Sequence, residues 1–167
     1  LDAGPQRLLD KGAHEPLVPE FTAALAALLA RVPLDLLHAE HWFSGVAALP
    51  VARRLGIPLA QSFHSIAAEA HTPLASGERA ESPGRLVGER ALARDVDLVI
   101  AVSEAEAATV RTRLGGERVA VVPLGVNSAD FRPLGAGERE AHLQRRHEGE
   151  PAEVLVAGRL HPLKGFD

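Results

Sequence analysis

The sequence predicts an α/β fold: a Rossmann-like parallel sheet with flanking helices. Three observations lead there. Short apolar runs at 35–39, 59–63, 97–102 and 118–122 have strand length and end in polar or glycine-containing segments. Helical stretches of about a dozen residues separate them, which is the spacing of βαβ units. The run at 97–102, DLVIAV, shows no polar alternation, as expected of a strand covered on both faces.

The elements follow in order. Residues 1–12 read as a loop with Gly4-Pro5 as a turn signal. Pro16 or Pro19 suits the first turn of a helix reaching Val32. Its sequence FTAALAALLARV is apolar almost all round, so it is predicted to pack on the sheet. A strand at 35–39 precedes a helix at 45–55, with Ser44 as its cap and Gly56 ahead of Pro58 as its stop.

A second strand at 59–63 leads through a short helix near 66–70 into a polar loop at 72–84. The helix at 85–94 places Leu86, Val87, Ala91 and Leu92 on its apolar side. After the strand at 97–102, Ser103 caps a helix at 104–114. Glu106 completes a capping box there, and Gly115-Gly116 ends the helix. The fourth strand, 118–122, gives way to a loop at 123–133. A polar helix within 136–150 then leads through a linker into 153–157. There the apolar run 154–157 reads as a buried parallel strand, the first strand of a second domain. There is no internal repeat and no low-complexity segment.

Composition bounds the function. A 167-residue chain that is 46% hydrophobic and 24% charged has the make-up of a soluble globular protein. A net charge of −4, with no basic cluster, gives no reason to expect nucleic acid. No apolar run is long enough to span a membrane, which leaves peripheral membrane contact open. The lack of Cys excludes a disulfide framework and a thiol nucleophile and fits a cytoplasmic location. The lack of Met means that Leu1 is not a translation start, and the chain reads as the middle of a longer protein.

In parallel sheets ligands bind beyond the carboxyl ends of the strands. The segments there are 38–42, 64–65, 103–104, 124–127 and 159–164, all polar or glycine-containing. In the last, VLVAGRLHPLKGFD, Arg159 and Lys164 offer a donor fork and a compact charge, a pair suited to a phosphate or diphosphate. His38, His41, His64 and His71, with Glu40, have no zinc-ligand spacing, so no metal is predicted. His38 reads as a core-edge histidine bonded to backbone, and Trp42 as packing. Ser103-Glu104 lacks a nucleophile elbow and is explained by helix capping. Arg85 and Glu89 lie four apart on one helix; the residues alone leave a structural pair and a phosphate ligand equally open.

The segments HAEHWFSG, LGIPLAQSFHS, DLVIAVSEAEA, VVPLGVNSADFRP and VAGRLHPLKG occur in this order. Together they resemble the first domain and hinge of the family 4, GT-B-fold glycosyltransferases. Within that family AGPQRLLDK at 3–11, with Phe21 ten residues beyond Lys11, is most similar to the D-inositol-3-phosphate glycosyltransferase group of mycothiol synthesis. The resemblance implies an acceptor-binding N-terminal domain at 1–135 that lacks its first βα unit. It further implies a linker at 136–152 and the start of a donor-binding domain at 153–167.

The implied activity is retaining transfer of a hexose or N-acetylhexosamine from a nucleotide diphosphate sugar to a small acceptor such as inositol phosphate. No cofactor is implied beyond that co-substrate. Carried over by motif, Arg159 and Lys164 hold the donor diphosphate, and His64 is the active-site histidine. The acceptor phosphate falls to Lys11, His41, Ser65 and Arg85. His41 stands where the family has Tyr, and Ser65 where it has Thr. Glu69-Ala70 stands near where related enzymes place another Lys, and a carboxylate there works against an anionic acceptor.

A sucrose-phosphate-synthase-like or lipid-linked-sugar transferase is the alternative enzyme reading. A non-catalytic sugar- or nucleotide-binding module is the alternative of another class. The donor pocket needs both domains, so this chain alone is expected to show no turnover.

Overall fold

The computed structural model describes residues 3–7, 9–10, 12–73, 80–147, 151 and 154–158. The chain divides into two compact units. The first, up to Pro123, holds a four-stranded sheet: β1 (Leu37–Glu40), β2 (Leu59–Ser62), β3 (Leu98–Ala101) and β4 (Val119–Val121). The strand order is β1-β2-β3-β4 and every pairing is parallel. Helices α1 (Val18–Leu29), α2 (His41–Leu55), α3 (Pro83–Asp95) and α4 (Glu104–Thr109) alternate with the strands.

A sheet that advances one strand at a time through right-handed crossovers stacks its connecting helices on one face. The core agrees. Register puts Ala39, Leu59, Gln61 and Val99 on that face, where Trp42, Ala48, Ala52, Leu92, Val96 and Val110 complete one buried cluster. β2 is central and all four of its residues are buried.

Several local expectations are corrected. α2 starts at His41, so Ser44 lies inside it. Its hydroxyl donates to the carbonyls of Glu40 and His41 instead of capping the helix. No helix forms at 66–70; the amide of Ala67 donates to the Glu89 carboxylate and its carbonyl accepts from Arg113, which tie this stretch to α3 and to the segment after α4. α3 starts at Pro83 and buries Arg85, Glu89, Leu92 and Ala93, leaving Val87 71% exposed. A charged pair takes the inward positions because its two members satisfy each other. α1 packs against α2 rather than on the sheet and is mostly half-buried.

Other features match the sequence. Gly56 closes α2 at φ 68°, the left-handed conformation that favours glycine. The Ser103 hydroxyl caps α4, accepting from the Glu106 amide at 3.2 Å, whereas the Glu106 carboxylate accepts at 2.8 Å from Val102 N, one residue before the cap amide that a capping box uses. α4 then widens into a π turn, Val110–Leu114.

The second unit, from Leu124 on, contains α5 (Ala136–His147). Glu138, in its first turn, accepts from Arg132 at 3.0 and 3.1 Å and from Gly135 N at 2.8 Å. The buried strand expected at 154–157 is not formed: Val154, Leu155 and Val156 are exposed and have no sheet partner among the described residues.

Candidate acceptor site at the ends of β1 and β2

The chain leaves β1 and β2 through two histidines in the left-handed region, His41 at φ 68° and His64 at φ 57°. Among the described residues no other non-glycine residue has a positive φ. Such conformations cost about 1–3 kcal/mol each, persist only where their surroundings enforce them, and cluster at binding sites.

The β2 exit is held from three directions. Arg85 Nη2 donates to the Ser65 carbonyl at 2.8 Å and to its Oγ at 2.9 Å. Glu89 accepts from Arg85 Nε at 2.7 Å and from the Ala67 amide at 3.0 Å. Arg113, on the π turn, donates to the Ala67 carbonyl at 2.8 Å. Glu89 is fully buried and Arg85 is 5% exposed. Both charges survive burial because each faces an opposite charge and several hydrogen-bond partners. Arg85 Nη1 also donates to Glu81 at 2.8 Å.

His64 Nε2 stands 3.5 Å from Glu40 Oε2, both side chains being well exposed. His41 is half-buried, and its pKa lies below the usual imidazole value. Burial is the main cause, followed by the charges of Arg85, His14 and His64, against which Glu81 pulls upward. These side chains therefore share one electrostatic neighbourhood. Glu69 Oε1 stands 3.4 Å from Arg113 Nε, an exposed ion pair. A cleft of about 590 Å³ lies along the neighbours of this cluster, lined by Pro16, Pro19, Trp42, Val46 and Pro83 with Glu15 at its edge.

Of the residues singled out from the sequence, Ser65 and Arg85 are in direct contact, and His41 and His64 lie in the same neighbourhood. Lys11, Arg159 and Lys164 lie outside the described residues. His38 bonds to the Ser62 hydroxyl at 2.9 Å rather than to backbone. Trp42 is 3% exposed and packs with Phe43 and His14. Among the described residues no group of three His, Asp or Glu could hold a metal. No described helix is long and apolar enough to cross a membrane.

Sequence reasoning did not find Glu81, His14 or Arg113. Glu81 was within reach, since it sits one helical turn before Arg85. Arg113 carried no signal: it meets Ala67 across 46 positions, by way of a π turn.

With the site laid out, comparison with known proteins adds four findings. The family model described as a glycosyl transferase 4-like domain matches residues 2–125. D-inositol 3-phosphate glycosyltransferase 1 of Catenulispora acidiphila is 36% identical over 99% of this chain and 39% of its own length. The D-inositol 3-phosphate glycosyltransferase of Nocardiopsis dassonvillei is 37% identical, again over 99% of this chain and 39% of the relative. The chain thus spans about two fifths of the length of these relatives. Sucrose-phosphate synthase from Thermosynechococcus elongatus shares the fold, with a TM-score of 0.70 at 24% identity, covering 86% of this chain and 36% of that one.

Proposed function

This chain belongs to the glycosyl transferase 4-like family, and on that premise we propose that it forms the acceptor side of a retaining enzyme that moves a sugar from a nucleotide diphosphate sugar onto inositol phosphate or a closely similar phosphorylated acceptor. The observation that carries the acceptor reading is the convergence of Ser65, Arg85, His41 and His64 at the carboxyl ends of adjacent parallel strands. Both named relatives are D-inositol 3-phosphate glycosyltransferases, which supports an anionic polyol as acceptor.

The chemistry sets two electrostatic demands. As the sugar–diphosphate bond loosens, negative charge gathers on the departing diphosphate and requires preorganised cations, the role assigned to Arg159 and Lys164. Positive charge develops at the anomeric carbon and requires nearby oxygens, as in glycoside hydrolysis. The backbone carbonyl of His64, at the left-handed exit of β2, is assigned that task. On the acceptor side Arg85 and Ser65 orient the phosphate, and His41 contributes an imidazole that gains a proton as the anion binds.

The test is transfer by the whole protein from a panel of sugar nucleotides, with inositol 3-phosphate and unphosphorylated inositol as competing acceptors. Product formed from the phosphorylated acceptor, with the anomeric configuration of the donor, is the expected result. Product from unphosphorylated inositol alone sinks the acceptor assignment.

A further inference from the structure

Arg85 presents five N–H donors in a planar fork, and its partners are of two kinds. Nε is tied to Glu89, which is fully buried, and Nη2 to the carbonyl and hydroxyl of Ser65. These contacts fix the guanidinium from within the fold. Nη1 is different. It donates at 2.8 Å to Oε2 of Glu81, whose side chain keeps 22% exposure against 6% for Arg85. Both members of the pair act electrostatically on His41, so the pair lies beside the left-handed exit of β1.

We propose that Glu81 is an internal anion: its carboxylate occupies Nη1 of Arg85 while the acceptor site is empty, and the phosphate of an incoming acceptor displaces it. The proposal rests on the reading of Arg85 as an acceptor ligand. Its consequence is selectivity. A neutral hydroxyl cannot compete with a carboxylate for a guanidinium, whereas a phosphate dianion can, through charge-assisted and bidentate hydrogen bonds. Glu81 therefore discriminates against uncharged acceptors by a built-in competitor, at some loss of affinity for the charged one. Arg85 does not need Glu81 for its orientation, because Glu89 and Ser65 already hold three of its donors.

The sign of one measurement separates this role from mere support. Inorganic phosphate is titrated calorimetrically into the wild-type protein and into Glu81→Gln and Glu81→Ala, at fixed pH and ionic strength. The phosphate Kd should fall by about tenfold in Glu81→Ala, and by less in Glu81→Gln, whose neutral amide oxygen still accepts from Arg85. Circular dichroism confirms that both variants keep the fold, as expected for a partly exposed side chain.

Equal or weaker phosphate binding in the variants overturns the proposal, since it makes Glu81 a prop for Arg85. Absence of phosphate binding in all three proteins overturns it as well. If phosphate tightens as expected but the whole protein glycosylates only uncharged acceptors, the displaceable pair stands and only the acceptor reading fails.

Discussion

Replacing Glu89 with Ala tests whether the buried pair holds the β2 exit. In the folded chain Glu89 is fully buried and accepts from Arg85 Nε at 2.7 Å and from Ala67 N at 3.0 Å. Its removal leaves a guanidinium that is 5% exposed without its innermost partner. Breaking one side of a buried ion pair costs about 3–5 kcal/mol. The orphaned Ala67 amide carries a further penalty of about 1–3 kcal/mol. The two do not add in full, because Arg85 keeps Glu81 and Ser65 as partners, so we expect a total of about 4 kcal/mol.

Urea unfolding followed by circular dichroism reads this directly. With an m-value of about 2–3 kcal/mol/M, the midpoint should fall by about 1–2 M. Arg85→Met combined with Glu89→Leu should cost less than Glu89→Ala alone, because neither charge is then left unpaired in the interior. A Glu89→Ala loss below about 1 kcal/mol, or simple additivity across the double replacement, would refute the reasoning.

Gly45→Ala should destabilise the chain by about 1–3 kcal/mol although alanine favours helix, because the new Cβ would come within 1.9 Å of Gln61 Oε1 and 2.9 Å of Leu92 Cδ1. A rise in thermal midpoint would contradict the packing described for α2 on β2. His64→Gly should raise stability by up to about 1 kcal/mol by relieving a left-handed backbone, while lowering transfer by the whole protein. Differential scanning calorimetry beside an activity assay checks both signs.

His41 gives a pH prediction. Burial, then the charge of Arg85, hold its folded pKa below the unfolded value of about 6.5, so just below that pH the unfolded chain binds more protons than the folded one. Its contribution is therefore complete above that value and is lost as pH falls through the folded pKa. Urea midpoints should decline on acidification, and less steeply in His41→Gln.

The sheet was legible because its strands are short apolar runs, and each of the four was found within two residues at either end. Only β2 is buried on both faces, while β1 and β3 alternate and β4 is half-buried throughout. Gly56, Gly115 and the Ser103 cap were legible for the same reason: backbone chemistry confines those positions to few residue types. α3 was misread where hydropathy was trusted. Val87 looks like core and is exposed, while Arg85 and Glu89 look like surface and are buried. Hydropathy scores residues singly, and this pair is buried only because each residue completes the other.

At the site, strand-end position pointed to His41, His64 and Ser65, since side chains beyond parallel strands face a common crevice. The left-handed backbone of the two histidines was not legible, because nothing in an His residue type announces a positive φ. Nor was the role of Arg113, which depends on a π turn that redirects one side chain.

The central claim is that the ends of β1 and β2 form an anion-reading acceptor site. Steady-state transfer by the whole protein, wild type against Arg85→Lys, with donor and inositol 3-phosphate varied separately, tests it most directly. The account predicts a KM for inositol 3-phosphate raised by about tenfold or more, with the donor KM unchanged, because lysine lacks the planar fork that Ser65 and Glu89 hold in place. A change confined to the donor KM, or an acceptor KM that does not move, would contradict it.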